Sequence, residues 1–235
     1  MRAVLFDMDG VIFDSERAVR GVWEEIAAEL GLPEIDRAFV RCVGVTKTRT
    51  REILRETYPG LDFDDFDSRV RARFRSLYGG GRLPVKPGAR ETLTALRERG
   101  CPLALASSTR TETVRLELRE AGLLDCFDAV VGGDLVQRSK PDPEIFLTAA
   151  ARIGVKPRDC WVIEDSFNGI RAAWAGGMHP IMVPDLLSPD AEMEEKAEHI
   201  VPDLFAAAAL IISDFEGQHE KTDADHQPRR RAERL

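Results

Sequence analysis

Ala3-Val4-Leu5-Phe6-Asp7-Met8-Asp9-Gly10-Val11 opens the chain with an apolar run that ends in two carboxylates and a glycine. A short continuous apolar run such as Ala3–Phe6 predicts a strand buried on both faces. Comparable runs recur at Leu103–Ala106, Ala129–Val131, Trp161–Ile163 and Ile181–Val183, each followed by a polar turn and a helical pattern. That alternation predicts an α/β fold, a parallel sheet flanked by crossover helices.

The helices between these runs carry their own punctuation. Arg90–Arg99 is stopped by Gly100, and Asp142-Pro143-Glu144 supplies an N-cap, a proline in the first helical position and an acid in the first turn. Thr109 and Glu112 have capping-box spacing ahead of a helix that ends at Gly122. The stretch 15–85 breaks the alternation. Ala18, Val19, Val22, Trp23, Ile26, Ala27 and Leu30 form an apolar helical stripe, and helical patterns follow at Arg37–Cys42, Lys47–Tyr58 and Phe63–Tyr78. Gly79-Gly80-Gly81, Pro84, Pro87 and Gly88 then read as a return linker. The expected organisation is a catalytic core of residues 1–14 and 86–216, an inserted α-helical domain at 15–85, and a polar, disordered tail at 217–235.

Bulk properties narrow the class. The 235 residues are 43% hydrophobic and 31% charged, enough to bury a core without a disulfide or metal staple. A net charge of −8 offers no general attraction for nucleic acid or an anionic membrane. An anionic substrate would therefore need a metal ion or a few local basic residues. Cys42, Cys101, Cys126 and Cys160 are widely spaced and read as reduced thiols. The apolar run before Asp7 is too short for a signal peptide, and Leu204 to Ile212 is too short to span a bilayer. The expectation is a cytoplasmic monomer.

Polar residues cluster where the predicted strands end. Asp7 and Asp9 follow the first strand, Ser107-Ser108 the second and Glu164-Asp165 the fourth, while Lys140 precedes a helix. An EF-hand reading of the Asp-x-Asp-Gly segment fails, because the first ligand position would fall on Leu5 within the strand. A plain turn would account for the segment alone. In a parallel sheet, however, Asp7, Ser107 and Asp165 all emerge at the carboxyl edge, where open α/β sheets place their ligand crevice.

With these residues in hand, the chain closely resembles the haloacid dehalogenase superfamily of phosphotransferases, in the subgroup of β-phosphoglucomutase and many sugar-phosphate phosphatases. The matching motifs are Asp7-Met8-Asp9-Gly10-Val11, Ala106-Ser107-Ser108, Ser139-Lys140-Pro141-Asp142, and Glu164-Asp165-Ser166 with Asn168-Gly169, in family order. The resemblance implies a Rossmann-like core with a helical cap inserted after the first strand. It also implies Mg²⁺-dependent hydrolysis of a small phosphorylated metabolite, such as a sugar phosphate, through an aspartyl-phosphate on Asp7. Asp9 would be the general acid and base. Lys140 would neutralise charge and, with Ser107 and Ser108, hold phosphoryl oxygens. Asp7, the Asp9 carbonyl and Asp165 would hold Mg²⁺, with Glu164 contributing directly or through water.

Neighbouring activities in the family separate on single residues. Dehalogenases and phosphonate-cleaving members lack the second aspartate, so Asp9 argues against both. Lys47 then reads as a cation for substrate phosphate or for the cap surface, and Lys47, Arg49 and Arg17 are the candidates for substrate contact. β-Phosphoglucomutases carry a cap histidine after the first motif, where this chain has Ser15-Glu16-Arg17-Ala18-Val19-Arg20. A mutase is thus the alternative and hydrolysis the expectation. A catalytically silent binding protein on this fold is the third reading, opposed by the presence of every catalytic residue type.

Overall fold

The structure, a computed structural model, describes residues 2–225, with side-chain surroundings through residue 216. Its centre is a six-stranded sheet of β1 (Ala3–Phe6), β2 (Leu103–Ser107), β3 (Ala129–Gly132), β4 (Cys160–Glu164), β5 (His179–Met182) and β6 (His199–Ile200). The spatial order is β3-β2-β1-β4-β5-β6 and every pair is parallel. The chain therefore builds outward from β1 to β2 and β3, then returns to the other side of β1 with β4. That reversal places a crevice above the carboxyl ends of β1, β2 and β4.

Strand alternation decides which helices cover each face. Val4, Phe6, Leu103, Leu105, Trp161 and Ile163 point to one side. They pack with α5 (Ala89–Glu98), α6 (Thr111–Glu120) and the start of α10 (Leu204–Asp225). Ala3, Leu5, Ala104, Ala106 and Val162 point to the other, against α7 (Glu144–Arg152) and α8 (Phe167–Ala175). Alanines on this second face of β2 meet Ala149 and Ala150 of α7, which lets helix and sheet approach closely. The short helix α9 (Ala191–Lys196) joins β5 to β6.

Between β1 and β2 stand α1 (Ser15–Leu30), α2 (Ile35–Cys42), α3 (Lys47–Thr57) and α4 (Phe63–Tyr78), and the described residues contain no strand there. These helices bury a core of their own around Trp23, whose ring meets Phe39 and Phe66 edge-on, both with centroids 5.1 Å away. The outgoing and returning segments touch at a bridge between Phe13 and Val85. Phe74 and Tyr78 pack against both the helical core and the sheet core.

Some local expectations are corrected. The Thr109–Glu112 capping box does not form: α6 starts at Thr111 after Arg110, without a side-chain cap. Helix α7 starts at Glu144, one residue later than its sequence signals suggest, and Asp142 accepts a hydrogen bond from the Glu144 N–H at 3.0 Å. β6 is unanticipated, since two residues carry no periodicity. Helix α10 runs on to Asp225, because an established helix extends at little cost through polar residues. The rest of the expected tail, 226–235, lies outside the described residues.

Candidate active site

The end of β1 delivers Asp7 into the crevice with only 6% of its surface exposed. Immediately beyond it, the Gly10 N–H bonds the Phe13 carbonyl and the Ile12 and Phe13 N–H groups bond the Met8 carbonyl, a tight turn that brings Asp9 back over the sheet edge. Gly10 has φ +78°, and a Cβ there would lie 2.1 Å from Asp165 Oδ2. Glycine is thus required twice, for the backbone and for the approach of the second carboxylate.

Lys140 comes from the segment before α7, and its side chain is 6% exposed. Its ammonium donates to Asp7 Oδ1 at 2.5 Å, Glu164 Oε1 at 2.7 Å and the Ala106 carbonyl at 3.1 Å. Those are all three of its donors. The second oxygen of Glu164 accepts from the Ser166 N–H at 2.8 Å and the Ser166 hydroxyl at 2.9 Å. Both Glu164 oxygens are therefore engaged, and this residue positions Lys140. A Cβ at Gly169 would come within 1.7 Å of Glu164 Oε1, so the first turn of α8 can seat this carboxylate only without a side chain there.

The charge balance of the site is negative. Ligand atoms of Asp7, Glu164 and Asp165 all lie within 4.8 Å of one another, in a geometry that could hold a metal ion. Two carboxylates at this separation repel by about 4 kcal/mol at an effective dielectric near 20. Burial raises the Asp7 carboxyl from its ordinary 3.8 to about 8, with Lys140 opposing and Glu164 and Asp9 adding to the rise. Burial, then the Glu164 and Asp7 charges, raise Asp165 well above the ordinary value. A single lysine does not balance these carboxylates, and a hard cation bound through oxygen fits the donor set.

Asp9 has a different environment. Burial raises its carboxyl, while Ser15 and Thr109 favour the charged form. The Thr109 hydroxyl donates to Asp9 Oδ2 at 3.3 Å. Ser15 is buried beside it, with no hydrogen bond of ordinary geometry. Ser107, fully buried at the end of β2, accepts from the Thr109 N–H at 3.1 Å, whereas Ser108 is exposed. Asp9 and Thr109 also line a cavity of about 530 Å³ between the sheet edge and helices α1–α4.

The structure thus brings Asp7, Asp9, Ser107, Lys140, Glu164 and Asp165 to one sheet edge. The three candidates for substrate contact stand elsewhere, ion-paired and outside that cavity's lining. Lys47 pairs with Asp67 at 2.7 Å, Arg49 with Glu52 at 2.8 Å, and Arg17 with Asp185 at 2.6 Å. Thr109, Ser15 and Ser166 belong to the site but were not singled out for it by sequence. The four cysteines are free, and burial pushes the Cys101 and Cys160 thiols up to about 12, which leaves them poor nucleophiles at neutral pH.

Comparison with known proteins agrees with this geometry. Residues 1–177 match the haloacid dehalogenase-like hydrolase family. A phosphorylated carbohydrates phosphatase of Thermotoga maritima is 35% identical over 77% of this chain and 84% of its own. The β-phosphoglucomutase of Bacillus subtilis is 32% identical over 78% of this chain and 83% of its own. A crystal structure of a hydrolase of the same family from Deinococcus radiodurans, with bound phosphate and sodium, superposes with a TM-score of 0.76 at 31% identity, covering 89% of this chain and 95% of that one. By sequence and by fold, the chain belongs to the haloacid dehalogenase-like hydrolase family.

Proposed function

We propose that this protein is a Mg²⁺-dependent phosphomonoester hydrolase that acts on a small phosphorylated metabolite through an aspartyl-phosphate on Asp7. The observation that carries this reading is the Asp7 carboxylate at the sheet edge, with Oδ1 held by Lys140 at 2.5 Å and Oδ2 outside that contact. Oδ2 attacks phosphorus as the bond to the leaving alcohol breaks, and Asp9 gives its proton to that oxygen. Asp9 then takes a proton from a water as the water attacks phosphorus, and release of phosphate restores Asp7. Burial suits Asp9 to this exchange by favouring its protonated form, while Thr109 keeps the charged form accessible.

Positioning and electrostatics are most of what a protein contributes to phosphoryl transfer. Lys140 offsets charge on the nucleophile and the phosphoryl group, and Ser107 and the Ser108 N–H receive phosphoryl oxygens. Mg²⁺ held by Asp7, Asp165 and the Asp9 carbonyl would neutralise like charges between nucleophile and phosphate. Residues 15–85 act as a cap over a core of residues 1–14 and 86–216. Asn168 of α8 donates to the Gly44 carbonyl at 3.1 Å, a contact of the kind a closed cap makes. Among the described residues no histidine lines the cavity, which favours hydrolysis over phosphomutase chemistry.

The test is phosphate release from a panel of sugar phosphates, with Mg²⁺ and after chelation, alongside isomerisation of glucose 1-phosphate. Metal-dependent release without isomerisation is expected. Full activity after chelation would remove the metal, and isomerisation exceeding release would make the enzyme a mutase.

A further inference from the structure

Away from the two linkers and the first turn of α1, one hydrogen bond joins the sheet core to helices α1–α4 among the described residues. Asn168 Nδ2 donates to the Gly44 carbonyl at 3.1 Å. Gly44 stands between α2 and α3 with φ +71°, and a Cβ there would meet nothing within 4 Å, so glycine serves the turn and not the space. Beside this contact the seam is open. A groove of about 380 Å³ has Val43, Gly44 and Val45 on the cap side and Phe167, Asn168 and Arg171 on the core side. Two further residues fix how Asn168 presents itself. Arg171 Nη1 donates to Asn168 Oδ1 at 3.0 Å. A guanidinium only donates and a carbonyl only accepts, so the amide nitrogen has to face Gly44. Arg171 is held in turn by Glu192 of α9, whose two oxygens accept from Nε at 2.8 Å and from Nη2 at 2.5 Å, a fork with little freedom.

Resting on the phosphatase reading, we propose that Glu192 and Arg171 are positioning residues that act through Asn168 as a latch for the closed cap. The connection from β5 to β6 then braces the cap at two separate points. Near its start, Asp185 pairs with Arg17 and Lys86 at the linkers, and Leu186 packs on the helical core around Trp23. Farther on, Glu192 sets Arg171, Arg171 sets Asn168, and Asn168 holds the turn at Gly44. Asn168 lies three residues beyond Asp165, so the latch closes on the same turn that brings that acid to the sheet edge. Weakening it lets more of the substrate-free enzyme stand open. Apparent affinity falls by the fraction that stays closed, while bound substrate still draws the cap shut, so KM moves and kcat changes little.

The experiment measures kcat and KM of the full-length enzyme with Mg²⁺ on p-nitrophenyl phosphate, for wild type, Asn168→Ala, Glu192→Ala and the double variant. Asn168→Ala should raise KM about three- to tenfold, the scale of one neutral hydrogen bond, with kcat within about twofold. Glu192→Ala should raise KM in the same direction by a smaller factor. The Glu192 side chain is 37% exposed, so its removal leaves no buried gap. On the Asn168→Ala background, loss of Glu192 should add nothing further, because its effect passes through Asn168. The inference is overturned if the two effects add, if kcat falls with KM unchanged, or if neither variant moves KM. A second measurement needs no variant to fold. Amide hydrogen exchange across residues 43–50 of the wild-type protein should slow when Mg²⁺ and aluminium fluoride bind together, and unchanged exchange would also overturn it. Absence of turnover with p-nitrophenyl phosphate and every sugar phosphate would refute the phosphatase reading, and this inference with it, whereas normal turnover with an unmoved KM refutes the latch alone.

Discussion

Replacing Lys140 with methionine keeps most of the side chain's volume and removes its charge. The lost ammonium sits 2.5 Å from Asp7 and 2.7 Å from Glu164. Each attraction is worth about 6 kcal/mol at an effective dielectric near 20, largely offset by the cost of burying the ions. Breaking a buried pair from one side typically costs about 3–5 kcal/mol, and part of that is avoided if a carboxylate takes up a proton. Asp7 is the group to do so, because burial already raises its carboxyl and Lys140 is what opposes the rise. The variant should therefore lose its nucleophile to protonation and its phosphoryl counter-charge together. Loss of one such electrostatic partner costs about 10²–10³ in kcat. With both effects, turnover of p-nitrophenyl phosphate should fall at least about 10³-fold, or about 4 kcal/mol. Circular dichroism should still report a folded protein at pH 5.5, well below the value of about 8 to which burial raises the Asp7 carboxyl. Lys140→Arg should not rescue activity, since a planar guanidinium cannot reproduce three donors inside this pocket. Retention of activity within tenfold of wild type in Lys140→Met would refute the role assigned to the ammonium.

Three other perturbations follow from the same geometry. Thr109→Val removes a bond that favours charged Asp9, so the alkaline limb of the kcat profile should move to higher pH; a fixed or lowered limb would contradict that contact. Asp7 and Asp165 have raised pKa values in the folded state, so between the ordinary value of 3.8 and the raised ones the native protein binds more protons than the unfolded chain. Metal-free protein should accordingly lose thermal stability as pH rises from about 4 to about 8, with Mg²⁺ restoring it at the upper end; a Tm that rises over this range without metal would be inconsistent. Asp185, whose carboxylate is 1% exposed, meets Arg17 at 2.6 Å and Lys86 at 2.8 Å, holding the start of α1 and the returning linker to the core. Asp185→Asn should cost about 2 kcal/mol in urea denaturation and raise KM more than it lowers kcat, whereas wild-type stability would show that this triad is not a tether.

The framework was legible because burial on both faces leaves unbroken apolar runs, and because the reactive residues sit directly at the ends of those runs. Asp7 needs only the end of β1 and the direction of the sheet to be placed. Thr109 was misread for a physical reason: its spacing to Glu112 is that of a cap, but the carboxylate of Asp9, a hundred residues earlier in the chain, captures its hydroxyl. Glu164 was ambiguous for a similar reason, since an acid beside Asp165 can serve a metal or a lysine. Its contacts to Lys140 and Ser166 form only once the segments before α7 and α8 are docked, and it also stands within reach of a metal held by Asp7 and Asp165. The cap residues were least legible. Lys47 and Arg49 are candidates for substrate contact in sequence, and the fold pairs them with Asp67 of α4 and Glu52 of α3. Glu117 follows Val114 by three positions on α6, and only packing against the cap reveals which part of that helix meets the cavity.

The central claim is that Asp7 carries the phosphoryl group. Single-turnover reaction in ¹⁸O-labelled water, followed by proteolysis and mass spectrometry, tests it directly. Attack by Oδ2 and hydrolysis at phosphorus predict that label enters the released phosphate in the first turnover and leaves the Asp7 peptide unlabelled. A phosphorylated Asp7 peptide should be trapped on acid quenching. Wild-type turnover by Asp7→Asn, or a quenched enzyme whose phosphate sits on any other residue, would contradict it.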